Sequence, residues 1–129
     1  MGNSNVLIDT SAWIEFFRGH SRIAETVTSL IGTGRACLCG VIYYEILQGA
    51  KDDEEALHLP NALSALKYFE MTPDTWIQAG HAAVRLRRKG ITLPMSDVLV
   101  GIVAMEHGLP VLTLDKHFNS IPGSIHYKE

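Results

Sequence analysis

The run Asn5-Val6-Leu7-Ile8-Asp9-Thr10-Ser11 limits the possible folds more than any other stretch of this chain. Three apolar residues in a row end on a carboxylate and two hydroxyls, and an aromatic segment, Trp13-Ile14-Glu15-Phe16-Phe17, begins almost at once. A strand with one wet face would alternate polar and apolar residues, so the uninterrupted run fits a parallel strand covered on both sides. Ligands of open α/β sheets bind at the carboxyl ends of such strands, which puts Asp9 where chemistry is done. Asp9 and Thr10 are also good helix N-caps, and one acid by itself leaves both readings open.

The rest of the chain repeats the theme. Leu109-Pro110-Val111-Leu112-Thr113-Leu114-Asp115 is a second short apolar run closing on an acid, followed by Lys116-His117-Phe118. Ala36 to Cys39, Tyr68 to Met71 and Ile125 to Tyr127 are further strand candidates. Helical spacing fills the gaps. The aromatic segment forms a short helix closed by Gly19, and Ile23, Val27, Leu30 and Ile31 share one helical face up to Gly32. Val41 to Gln48 is a third helix, on which Glu45 interrupts the apolar stripe of Val41 and Ile42. Ala56, Leu57, Leu63 and Leu66 predict two short helices separated at Pro60. Thr72-Pro73-Asp74 opens a helix with Trp76, Ile77, Gly80, Ala83 and Val84 as its buried face. Ser96, as a cap, and Asp97 open a largely apolar helix running from Val98 to Met105. Strands alternating with helices predict right-handed crossovers and a parallel sheet between helix layers, an α/β/α architecture.

Charge narrows the function classes. Eleven Lys and Arg against fourteen Asp and Glu give a net charge of −3, which argues against a general phosphate-backbone binder. Any affinity for nucleic acid must come from localised positive charge or from a metal. Arg85, Arg87, Arg88 and Lys89 form the one basic concentration, with Arg18 and Lys116 elsewhere; a cationic last turn also simply complements a helix dipole. Asp52-Asp53-Glu54-Glu55 is taken as a solvated helix start. Cys37 and Cys39 are too few for a disulfide framework or a structural zinc site. With 129 residues, no signal-type segment and no apolar stretch long enough for a membrane, the chain is expected to be one cytoplasmic domain, residues 1–129.

In this architecture Asp9 and Asp115 lie at strand ends, Asp97 at a helix start and Glu45 on an inward helix face, so all four could converge at one sheet edge. Two carboxylates ~4 Å apart repel by about 4 kcal/mol at an effective dielectric near 20, so four of them need a cation. An all-oxygen site suits Mg²⁺ or Mn²⁺, and the chemistry most often built on one is phosphoryl transfer.

The ordered set of Val6-Leu7-Ile8-Asp9-Thr10-Ser11, Glu45, Ser96-Asp97 and Leu112-Thr113-Leu114-Asp115-Lys116-His117-Phe118 resembles the PIN-domain ribonucleases, specifically the VapC toxins of toxin–antitoxin pairs. The resemblance spans nearly the whole chain. It implies a five-stranded parallel sheet, a Mg²⁺ site made by Asp9, Glu45, Asp97 and Asp115, and endonucleolytic cleavage of RNA. Thr113, Thr10 and Ser11 would support the acids. It also implies a homodimer and a cognate antitoxin whose basic or aromatic segment fills the active cleft. The family's last strand can end in Asp-x-Asp, whereas this chain has Thr113-x-Asp115, which puts a second metal in doubt.

Rival readings have distinct signatures. A metal-free ribonuclease would need an acid–base pair, and none of His20, His58, His81, His107, His117 and His126 forms an evident dyad by spacing. A phosphatase with Asp9 as nucleophile lacks its usual second acid, since Ser11 stands two residues on. A binding module would retain the acids only as caps, and a non-toxin PIN nuclease would process RNA without an antitoxin.

Overall fold

In the computed structural model, which describes residues 5–128, β1 (Val6–Ile8) lies inside a parallel sheet of order β3-β2-β1-β4. The other strands are β2 (Ala36–Cys39), β3 (Lys67–Phe69) and β4 (Val111–Leu112). Every residue of β1, β2 and β4 is buried, as continuous apolar runs require when helices cover both faces. β3 is the wet edge, and Lys67 on it discourages pairing with another chain.

The fifth strand expected at Ile125-His126-Tyr127 is reduced to one parallel bridge. Val111 N donates to Ile125 O at 2.7 Å and accepts in return through its carbonyl from Tyr127 N at 2.8 Å. Pairing stops there because the chain leaves the sheet after Leu112, where Thr113 and Asp115 turn their hydrogen bonds towards side chains.

Helices α1 (Thr10–Arg18) and α2 (Arg22–Gly32) cross from β1 to β2. α3 (Gly40–Gln48) and α4 (Asp53–Leu63) lead to β3, and α5 (Pro73–Arg88) and α6 (Met95–Glu106) lead to β4. The main core joins β1, β2 and β4 to Trp13, Val27, Leu30, Ile42, Val100 and Phe118. A second apolar cluster sits between α5 and α6.

Three helix expectations are corrected. α4 is one helix that contains Pro60, not two separated by it. The proline falls in the last turn, where few hydrogen bonds remain to be lost, and its carbonyl accepts from Tyr43 Oη at 3.4 Å. On α5 the buried residues are Thr75, Ala79, Ala82 and Leu86, while Trp76 and Ile77 stay half exposed. The two alanines face Val98, Leu99 and Ile102 of α6, and Thr75 Oγ1 donates to Glu106 at 2.8 Å, so small residues and a hydrogen bond set this contact. Finally, Ser96 does not cap α6: the helix starts at Met95 behind Pro94, with no side-chain cap.

Candidate functional site

The carboxyl edge of the sheet is held together by hydroxyls. Asp9 ends β1 in an extended conformation and caps α1, so the cap reading and the site reading describe one residue in one conformation. It is only 4% exposed. Its Oδ2 accepts from Ser11 Oγ and from Thr113 Oγ1, each at 2.9 Å. Burial raises its pKa, and these two hydroxyls oppose the rise by stabilising the ionised form. Thr113 Oγ1 also accepts from Asp115 N at 2.9 Å, and Ser11 Oγ accepts from Leu114 N at 3.0 Å. The exits of β1 and β4 are thereby locked to each other, and the locking groups are the supporting residues the sequence singled out.

Glu45 points to the same edge. Thr10 Oγ1, in the first turn of α1, donates to Glu45 Oε1 at 2.7 Å. The thiol of Cys39, at the end of β2, reports both neighbours: burial pushes its pKa up to about 11, and the charges of Asp9 and Glu45 add to the rise.

Asp97, in the first turn of α6, is 7% exposed. Its pKa is pushed up to about 6, first by burial and then by Asp115 and Asp9, against the lowering effect of a hydrogen bond with His117. His117 Nδ1 lies 2.6 Å from Asp97 Oδ2 and 2.9 Å from Asp115 Oδ1. The hydrogen bond with Asp97 raises the His117 pKa most, with Asp115 adding to it. Asp115 Oδ1 also accepts from His117 N at 2.9 Å and so caps the 3₁₀ turn Lys116–Ser120.

One potential ligand atom from each of Asp97, Asp115 and His117 lies within 4.8 Å of the other two. These donors fit a divalent cation: two carboxylates, one of them buried, and an imidazole nitrogen share one side of a small space. Asp9 borders that trio and acts on Asp97, while Glu45 stands on the far side of Asp9, held by Thr10; neither is part of the trio. His117 is the residue the sequence reading passed over. The available signal was its place two residues after the acid that caps the 3₁₀ turn, but its second partner, Asp97, is twenty residues away.

The basic residues do not form one face. Arg87 shares a cavity with Val98, next to Asp97, whereas Arg85 and Lys89 line another with Met105, Ile121 and Pro122. Met105 is eight residues from Asp97, about 12 Å along the helix. Lys116 is exposed beside Asp115, and Arg88 is exposed at the end of α5. Arg18 pairs with Glu15 at 3.1 Å on the rim of a groove that Glu45 also lines.

Fold and site together define an α/β domain that gathers carboxylates at the carboxyl edge of its parallel sheet, an arrangement able to hold a hard divalent cation. Residues 6–124 match the family profile described as PIN domain. The chain is 33% identical over 121 residues to Ribonuclease VapC11 of Mycobacterium tuberculosis, covering 90% of each protein. It is 30% identical over 120 residues to Ribonuclease VapC21 of the same species, covering 89% of this chain and 84% of that one. Among solved structures, DNA-bound VapBC from Salmonella typhimurium superposes with a TM-score of 0.79 at 22% identity, covering 96% of this chain and 97% of that one. The chain belongs to the PIN domain family.

Proposed function

We propose that the protein is a divalent-metal-dependent endoribonuclease and the toxin of a toxin–antitoxin pair. The observation that carries the reading is the convergence of Asp9, Asp97 and Asp115 at one sheet edge, with Glu45 turned to the same edge by Thr10. The relatives named ribonucleases and the VapBC complexes of the same fold support it.

Asp97 and Asp115, with Asp9 beside them and Glu45 turned to the same edge, would hold Mg²⁺ or Mn²⁺. When bound, the ion supplies positive charge and Lewis acidity for in-line attack of water on an RNA phosphodiester, leaving a 5′-phosphate and a 3′-hydroxyl. The chain's own part is positional. Ser11 and Thr113 fix the Asp9 carboxylate, Thr10 fixes Glu45, and no protein nucleophile is required. Both thiols are buried, and Cys39, the one beside these acids, stays protonated. Lys116, adjacent to Asp115, and Arg18, on the groove that Glu45 lines, are the cations tied to this edge, while Arg87 lines a cavity with Val98 and Arg85, Arg88 and Lys89 sit elsewhere on α5 or just past its end.

Two surfaces support the partner assignments. Tyr44, Tyr68, Trp76 and Met95, 64%, 47%, 50% and 68% exposed, surround a cavity of about 430 Å³ in which Glu70 is the one charged lining residue. Fully buried aromatic side chains contribute 150–250 Å² each, so these three offer roughly 300 Å² towards the ~800 Å² per partner of a standard interface. We assign this face to a second copy of the chain. A groove of about 240 Å³ lined by Trp13, Ile14, Phe17, Ile46 and Leu59, with Glu45, Glu55 and one cation, Arg18, itself paired with Glu15, suits an antitoxin segment with apolar and cationic side chains. Among the described residues no helix is long and apolar enough to cross a membrane, and the free thiols fit action in the cytoplasm.

The test is cleavage of a structured RNA in Mg²⁺ and in EDTA, repeated with Asp9→Asn. Loss of cleavage under both perturbations is expected; activity that survives both refutes the reading.

A further inference from the structure

We propose that His117 is a ligand of the catalytic cation, and that its nitrogen gives the site a preference for Mn²⁺ and other transition ions over Mg²⁺. The assignment rests on the metal-dependent reading above and extends it to a residue outside the four-acid set.

The argument is geometric. Nδ1 of His117 faces two carboxylate oxygens at 2.6 and 2.9 Å, so one nitrogen sits where donors from different elements converge. The position is built into the fold. The His117 backbone N–H is held by Asp115 Oδ1, and the next residue, Phe118, is 0% exposed and anchored in the core. On the other side, Asp97 is buried at the start of α6 and has little room to swing away. The imidazole itself is 47% exposed, so it is the anchored backbone and the two carboxylate contacts that keep its ring nitrogen at the cluster.

The choice of side chain matters. If this position served only to balance charge, a lysine or arginine would do it at any pH, and Lys116 is adjacent in sequence. Neither can ligate a cation while protonated, whereas neutral imidazole is a good ligand for first-row transition ions. Mg²⁺ prefers oxygen donors in a near-ideal octahedron and keeps much of its water, so a nitrogen in the set favours Mn²⁺ or Co²⁺ relative to it. His117 is therefore the feature by which this site departs from an all-oxygen cluster.

The experiment uses metal-stripped full-length protein, wild type, His117→Gln and His117→Asp, each checked for folding by circular dichroism. Calorimetric titration gives the ratio of Mn²⁺ to Mg²⁺ affinity, and pulsed EPR of bound Mn²⁺ detects nitrogen coupling. Wild type is expected to show the coupling. His117→Gln should lose it and lower the Mn²⁺ to Mg²⁺ ratio about tenfold or more, the scale on which metal-site substitutions act. His117→Asp should lose the coupling while binding Mg²⁺ at least as well as wild type. Mn²⁺ bound without nitrogen coupling, or an unchanged ratio in His117→Gln, overturns the ligand assignment and leaves the metal-dependent reading standing. Failure of wild type to bind either ion overturns both.

Discussion

Thr113→Val removes one hydroxyl and keeps the side-chain shape, so it isolates the lock between the two strand ends. In the native protein that hydroxyl donates to Asp9 Oδ2 and accepts from Asp115 N, both at 2.9 Å. A hydrogen bond to a charged group contributes about 1.5–3 kcal/mol and a neutral one about 0.5–1.5 kcal/mol. Ser11 still donates to Asp9, so the carboxylate is not orphaned, and the expected loss at neutral pH is about 2–3 kcal/mol. For a chain of this length that lowers the Tm by roughly 10 °C. The sign with pH follows from Asp9. Thr113 lowers the Asp9 pKa, so the valine variant raises it further above its unfolded value. An acid whose folded pKa is raised loses stability as pH rises through that pKa, so the defect should be larger at pH 7 than at pH 4. Thermal unfolding of metal-free protein at both pH values measures this. A double-mutant cycle with Ser11→Ala should show coupling of at least about 0.5 kcal/mol, because both hydroxyls serve Asp9 Oδ2. A loss below about 0.5 kcal/mol at neutral pH, or a defect independent of pH, would refute the claim that these hydroxyls hold the site together.

Asp97→Asn should raise the metal-free Tm relative to wild type progressively as pH climbs past about 6, the value to which burial pushes the Asp97 pKa, because the variant has no buried charge to desolvate. His117 has the same sign: its raised folded pKa stabilises below its unfolded value, and that gain fades as pH rises through the folded one. A Tm difference that shrinks with pH would contradict both assignments. Trp76→Glu together with Met95→Glu, on the exposed apolar face, should convert a dimer to a monomer in light scattering after gel filtration while leaving circular dichroism unchanged. Phe118→Ala should cost about 3–5 kcal/mol in urea unfolding, because the ring is fully buried beneath the turn that carries His117.

What was legible in the sequence is what local pattern alone can state. Buried parallel strands need unbroken apolar runs, so β1 and β4 announce themselves, β1 together with the acid that ends it, whereas Asp115 falls beyond β4 at the start of the 3₁₀ turn. Thr72 and Pro73 announce α5 because capping chemistry is local, and the structure shows the full capping box with Thr75. The face of α5 could not be read the same way. Trp76 and Ile77 dominate any hydrophobic count, yet the contact with α6 is made through Ala79 and Ala82. Large residues on the open side of a helix look like core until the neighbouring helix is known.

The two least legible features share one cause. β4 ends after Leu112 because Thr113 and Asp115 direct their bonds to side chains at the sheet edge, and this leaves Ile125-His126-Tyr127 only Val111 to pair with. The same departure starts the 3₁₀ turn at Lys116, which swings His117 onto Asp97. The shortened strand pairing and the contact of His117 with Asp97 both follow the point where the chain leaves the sheet after Leu112 and the Thr113 hydroxyl bonds Asp9.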